Sequence, residues 1–356
     1  MNPSNPRLGP HVVTLGTAGG PRWWNAPGGS QRSGISTAVV IQGAVYLVDC
    51  GQGTGWQLKN AGLSMDQVRG LFITHLHSDH TVDLASLILF GQFERKNPAL
   101  EPIRVHGPGP RGKLPPLSAR AESMPEMVAP DNPGPGIEQL FEMLSAAYAT
   151  DINDRTFDSL TRPPSKHFDV HDIVLPERTG FDPNDNVCPD MEPFTIFKDE
   201  LVEVTAILVS HHPTAPAFAF RFDTAEGSVT ISGDTAPCRN LVRIAKGTDL
   251  LMHEAIDLET IAAQYTDQAL MNATMDHHRR AHTTARQAGE LATEAGARSL
   301  VLHHLVPASA PAESWLKAQE TFSGRLVVPE DLEIISFASP PRTTSDTAVE
   351  PVKAIS

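Results

Sequence analysis

The 356-residue chain has only three cysteines, Cys50, Cys188 and Cys238, too few for a disulfide-built scaffold. Their number is odd and their spacings match no zinc knuckle, so they read as free thiols, and none has the neighbouring histidine that would mark a nucleophile. Long apolar runs are also missing. No segment approaches the roughly 18 to 20 residues that cross a bilayer, and the opening MNPSNPRLGP lacks the apolar stretch of a secretory signal. The expectation is a cytoplasmic protein with no membrane partner. Net positive charge is absent as well: the formal charge is −14, a field that repels polyanions, because nucleic-acid affinity comes largely from neutralised phosphates. Nucleic acid is therefore a disfavoured partner, though not an excluded one, and a small-molecule substrate is expected in its place.

The composition that remains is globular, with 40% apolar and 20% charged residues punctuated by 30 prolines and 26 glycines. The length exceeds one small core, which predicts one large domain or a domain with a sizeable insertion. β-type runs at 12–15, 37–41, 44–48 and 70–74 precede a buried helical pattern after His80, and another strand follows at 103–107. Residues 108–195 hold 14 of the prolines and one amphipathic run, 137–154, and read as an inserted, lid-like region. Strand patterns resume at 202–210, 216–222, 228–232, 250–254 and 299–305, with helical patterns near 237–246, 256–272 and 283–296. Two halves, each of strands followed by helices, predict a single α/β domain over 1–340 built as a four-layer αβ/βα sandwich, with 341–356 as a disordered tail.

Histidine is the informative residue. Most of its 15 copies gather in 75–80, 211–212, 277–282 and 303–304. The densest run, Thr74-His75-Leu76-His77-Ser78-Asp79-His80, follows an apolar strand directly. Alternation at a strand end puts His75 and His77 on one side, where both imidazoles reach one ion, while the turn that follows offers Asp79 and His80 to a second.

This H-x-H-x-D-H run resembles the signature of the metallo-β-lactamase superfamily. The likeness extends to LGTAGGP (15–21), LVDCGQG (47–53), SHHPTAPAFAFRF (210–222), SGDTAP (232–237) and LVLHHL (300–305). HEA at 253–255 and AHTTARQAGELA at 281–292 resemble its ribonuclease Z and arylsulfatase-like branch. The resemblance implies that His75, His77 and His211 hold one zinc ion, that Asp79, His80 and His304 hold another, and that Asp234 bridges them. Manganese or iron is an alternative metal, although His77 stands where an iron-binding oxidoreductase branch has glutamate. His211 has His212 beside it and His304 has His303; the family pattern favours His211 and His304, and the residues alone leave both choices open. The resemblance further implies a metal-bridging hydroxide oriented by Asp79 and Asp234, with His282 contacting the scissile group and Glu254 orienting His282. Asp49, Thr74 and Ser232 are read as hydrogen-bonding supports.

For the substrate, Trp23 and Trp24 lie in a Gly/Pro-rich loop and suggest an aromatic wall, and Arg279 and Arg280 suggest an anion contact. These features predict a hydrolase of a small-molecule ester, lactone, sulfate ester or phosphodiester. A ribonuclease Z-type tRNA 3′-processing endonuclease and a metal-binding protein without turnover are the alternatives. A homodimer is implied by the resemblance alone.

Overall fold

Side-chain alternation decides which way each strand faces. In β1 (His11–Gly16), β2 (Ser36–Ile41) and β3 (Ala44–Val48), Val12, Val39 and Tyr46 point one way and Val13, Ala38 and Val45 the other, and all six are buried. Strands apolar on both faces require a covered sheet. The computed structural model, which describes residues 9–118 and 120–338, supplies that cover.

Three further strands, β4 (Val68–Phe72), β5 (Ile103–Pro108) and β6 (Phe168–Ile173), extend the first sheet. The second is built from β7 (Phe194–Lys198), β8 (Glu203–Leu208), β9 (Phe218–Asp223), β10 (Ser228–Ile231), β11 (Leu250–Ile256), β12 (Ser299–Val306) and β13 (Arg325–Val327). The chain then returns to the first sheet as β14 (Ile334–Ser336), giving two seven-stranded sheets ordered β14-β1-β2-β3-β4-β5-β6 and β13-β12-β11-β10-β9-β8-β7. Between them lies a core of Val12, Val39, Tyr46 and Phe72 against Phe218, Phe220, Phe222 and Val229. Helical segments with Leu58, Leu84, Ile88, Ile137 and Phe141 cover the outer face of the first sheet. The alanine-rich helix Ala285–Ala295 lays Ala288, Ala292 and Ala295 on Leu251 and Leu300 of the second. The four-layer αβ/βα sandwich is the observed architecture.

The proline-rich stretch differs from a free lid. Its β6 pairs parallel to β5 from Ile103↔Phe168 to Pro108↔Ile173, so part of the region is the edge of the first sheet. The amphipathic run over 137–154 breaks at Tyr148 into helices Ile137–Ala147 and Ala149–Ser159, the first anchored by buried Ile137 and Phe141. The pattern at 256–272 likewise resolves into Leu258–Ala262 and Gln268–Ala281. The second of these starts where the Asp267 carboxylate accepts the amides of Ala269 and Leu270. The expected tail, 341–356, lies outside the described residues.

Candidate metal centre

The candidate ligands follow strand ends, where the sheets stop and loops converge. His75, His77, Asp79 and His80 come after β4, His211 after β8 and Asp234 after β10, while His304 lies near the end of β12. The structure gathers all seven. The ligand atoms of His75, His77 and His211 lie within 4.8 Å of one another, as do those of Asp79, His80 and His304, and those of Asp234 with His75 and His80. His211, rather than His212, has its ring against His75 and His77, and His304, rather than His303, stacks on His80.

Outer contacts fix which nitrogen faces the cluster. His211 Nδ1 lies 2.9 Å from the Ala281 carbonyl and His80 Nδ1 2.8 Å from Asp49 Oδ2, which leaves both Nε2 atoms free to face inward. His77 is reversed: Thr214 Oγ1 stands 2.6 Å from Nε2, and Nδ1 points to His75 and His211 at 3.0 and 3.2 Å. Asp49 also accepts the Thr74 amide at 2.8 Å and its hydroxyl at 2.9 Å, tying the end of β3 to the start of the ligand turn. Ser232 Oγ accepts the Glu254 amide at 3.0 Å.

The electrostatics suit a cation. Burial pushes the His75 and His211 imidazoles well below their ordinary range, which leaves neutral rings with lone pairs available. Burial acts the same way on His80, but the Asp234, Asp49 and Asp79 carboxylates outweigh it and hold this ring protonated. So many carboxylates around one buried ring call for positive charge, and His80 Nε2 and Asp234 Oδ1 are buried with no hydrogen-bond partner. Imidazoles and carboxylates in this arrangement form a donor set of the kind zinc takes.

Beside the cluster, His282 Nδ1 lies 2.9 and 3.1 Å from the two oxygens of the fully buried Glu254, and Glu254 Oε1 accepts the Thr235 amide at 2.6 Å. Burial opposes the charge on His282, yet Glu254 and Asp234 outweigh it and raise the ring to about 9. His282, with His77, Asp79, Asp234 and His304, opens onto a cleft of about 440 Å3 whose wall includes Trp24, Ile261, Tyr265 and Val306.

Comparison with known proteins agrees with this architecture. Ribonuclease Z of Mycolicibacterium gilvum is 28% identical over 308 residues, covering 85% of this chain and 90% of the relative. Ribonuclease Z of Mycobacterium sp. strain KMS is 29% identical over 310 residues, at the same coverages of 85% and 90%. A family model described as anti-Pycsar protein Apyc1 matches residues 35–102. Among solved structures, the metallo-β-lactamase-fold protein YhfI of Bacillus subtilis superposes with a TM-score of 0.56 at 18% identity, covering 91% of this chain and 98% of its own. The short form of human tRNase Z gives 0.57 at 22% identity, covering 92% and 100%. The Zn2+-bound PqqB of Methylobacterium extorquens gives 0.54 at 15% identity, covering 92% and 99%.

The fold is that of the metallo-β-lactamase superfamily.

Within this superfamily the sequence relatives lie in the ribonuclease Z branch, as the motifs implied. Their name corrects one expectation, that the substrate is a small molecule and nucleic acid a disfavoured partner. A net charge of −14 sums over the whole surface, whereas a phosphate at a cleft meets the local field, to which Arg22 and the protonated His282 contribute positive charge.

The structure separates the paired substrate residues. Trp24 lines the cleft with its indole Nε1 donating to the Gly19 carbonyl at 2.8 Å, while Trp23 is 86% exposed, as neighbours in an extended loop face opposite ways. Arg279 and Arg280 are exposed at the end of the helix Gln268–Ala281, and the cleft is lined instead by Thr274, His277 and His278, one helical face at spacings of three and four. Thr214, Tyr265 and Ile261 are site residues that no sequence pattern marked. Thr214 sits within the quoted SHHPTAPAFAFRF run, but its contact with His77, 137 residues away, cannot be read from that run.

Proposed function

We propose that this chain is a metal-dependent phosphodiesterase of the ribonuclease Z type that cleaves precursor tRNA at its 3′ side. The observation that carries the reading is the His282–Glu254 pair, a proton-bearing imidazole set beside the His/Asp cluster at the rim of an open cleft. His75, His77 and His211, together with Asp79, His80, His304 and Asp234, would hold zinc, and when bound the metal would supply an acidified water and polarisation of the phosphodiester.

The chain's own residues supply the rest. Glu254, fixed by the Thr235 amide, holds the Nδ1 proton of His282 and so leaves Nε2 to deliver its proton to the departing oxygen. Asp79 accepts the Gly20 amide at 2.9 Å, which steadies the glycine-rich loop that carries Trp24 over the cleft. Trp24 and Tyr265 offer flat faces suited to unpaired bases.

The decisive assay is cleavage of a precursor tRNA with a 3′ trailer by zinc- or manganese-loaded protein, with His75→Ala and His282→Ala as controls. Cleavage at one position near the acceptor stem, abolished by His75→Ala, is the expected result. An intact substrate with either metal overturns the proposal.

A further inference from the structure

The loop that carries His211 contains prolines at 213 and 216, which have no amide proton to bond within the loop, so its shape needs donors from outside. At its base the Val209 amide donates to the Ala217 carbonyl at 2.9 Å. At its far end the donor comes from the proline-rich region: Arg111, three residues past β5, donates from Nη1 to the Pro213 carbonyl at 2.5 Å. Nη2 of the same guanidinium donates to the Pro183 carbonyl at 2.8 Å and to Asn184 Oδ1 at 2.7 Å. Asn184 is itself held, its Nδ2 donating to the Leu114 carbonyl at 3.1 Å and its backbone amide to Asp182 Oδ1 at 2.9 Å, while Asp182 pairs with Lys113. One planar group thus joins three segments that are distant in sequence, and these three acceptors are uncharged oxygens.

We propose that Arg111 is a positioning residue of the metal centre, setting Thr214 against His77 by holding the peptide that joins Pro213 to Thr214.

Fixing the Pro213 carbonyl fixes the plane of that peptide and with it the start of Thr214, whose Oγ1 stands 2.6 Å from His77 Nε2. His77 Nδ1 is thereby kept towards His75 and His211, at 3.0 and 3.2 Å. Without the guanidinium the loop loses its outer anchor, and Thr214 can leave the imidazole while His211, bonded to the Ala281 carbonyl, stays in place. The planar fork is needed as well as the charge, because a single ammonium cannot reproduce donors fixed in two directions. Arg111 acts in this way only if His77 is a metal ligand, as the proposed function requires. The proline-rich region then braces the metal centre from outside, through a residue that touches neither metal nor substrate.

The test is a double-mutant cycle read as zinc affinity by chelator competition, with far-UV circular dichroism to establish folding. Arg111→Gln is expected to weaken zinc binding about tenfold. Because the arginine acts through the threonine, the double variant Arg111→Gln, Thr214→Val is expected to bind no more weakly than Thr214→Val alone. Arg111→Lys, which keeps the charge without the fork, is expected to lose affinity as Arg111→Gln does, and takes its place in the cycle if the glutamine variant does not fold. Wild-type affinity in either folded arginine variant overturns the proposal, as do losses that multiply in the double variant. Wild-type affinity in Thr214→Val overturns it together with the ligand role of His77, whereas a cycle of the expected form beside an uncleaved precursor tRNA strikes the proposed function alone.

Discussion

A single missing carbon sets the position of His304. Gly19 packs so closely that an added Cβ would fall 2.3 Å from His304 Nδ1. The ring has nowhere to retreat, because His304 already sits at φ 47°, with the Leu305 amide bonded to the Thr17 carbonyl at 2.9 Å and the Gly19 amide to the Leu305 carbonyl at 3.2 Å. Gly19→Ala is therefore expected to displace one proposed ligand and lower metal affinity at least about tenfold while leaving the fold intact. Metal content after dialysis, set beside far-UV circular dichroism, checks this; full metal retention would show that the close approach is unimportant. Thr214 acts by chemistry rather than volume. Its hydroxyl oxygen accepts the His77 Nε2 proton and so keeps Nδ1 bare. Thr214→Val should weaken metal binding by about 10–100-fold in a chelator competition, and Thr214→Ser should restore it. The seven candidate ligands were legible because each belongs to a motif at a strand end. The parts played by Gly19 and Thr214 were not, since each depends on a partner more than a hundred residues away.

At the scale of elements, strands with two buried faces announced themselves and edge strands did not. β6 reads FDVHDI and buries only its first and last residues, so its pattern vanished into the surrounding prolines. Short β13 and β14, three residues each, carry too little periodicity to be seen. The β5–β6 edge also yields a prediction distant from the metal centre. His106 on β5 stacks on Phe72 and His171, and burial, followed by the charges of His171 and Arg104 and only partly opposed by Asp169, lowers it to about 4. Its folded-state value lies below the unfolded value of about 6.5, so the unfolded chain binds the proton first as pH falls. The stability this group contributes is fully present above pH ~6.5 and is lost as pH drops towards ~4, to a maximum of about 3 kcal/mol. Urea unfolding at several pH values should show a shallower acid loss for His106→Asn than for the wild type. Parallel curves for the two proteins would locate the acid sensitivity elsewhere.

For the whole molecule, charge misled the sequence reading because composition averages over a surface that the cleft does not share. The question is how an acidic protein would hold an RNA, and counterion release makes it measurable. Each phosphate neutralised by a fixed cation steepens the fall of affinity with salt, by about 0.9 in log–log slope for a duplex. Arg279 and Arg280 leave the end of the helix Gln268–Ala281 as exposed cations, and Arg22 lies 5.7 Å over the Trp24 ring at the opposite rim. With a net charge of −14, binding of precursor tRNA is expected to show a slope equivalent to only a few phosphate contacts. Replacing Arg279 and Arg280 together with serine should lower that slope by about 2, weaken binding alike for different tRNA sequences, and leave cleavage at saturating substrate nearly unchanged. These two arginines stand outside the cleft wall and would position the strand without touching the reacting phosphate. Titrations of the double variant and the wild type across a series of salt concentrations decide the matter. Equal slopes would move the RNA path away from this helix end, and a fall in the saturated rate would bring one of the arginines into the chemistry itself.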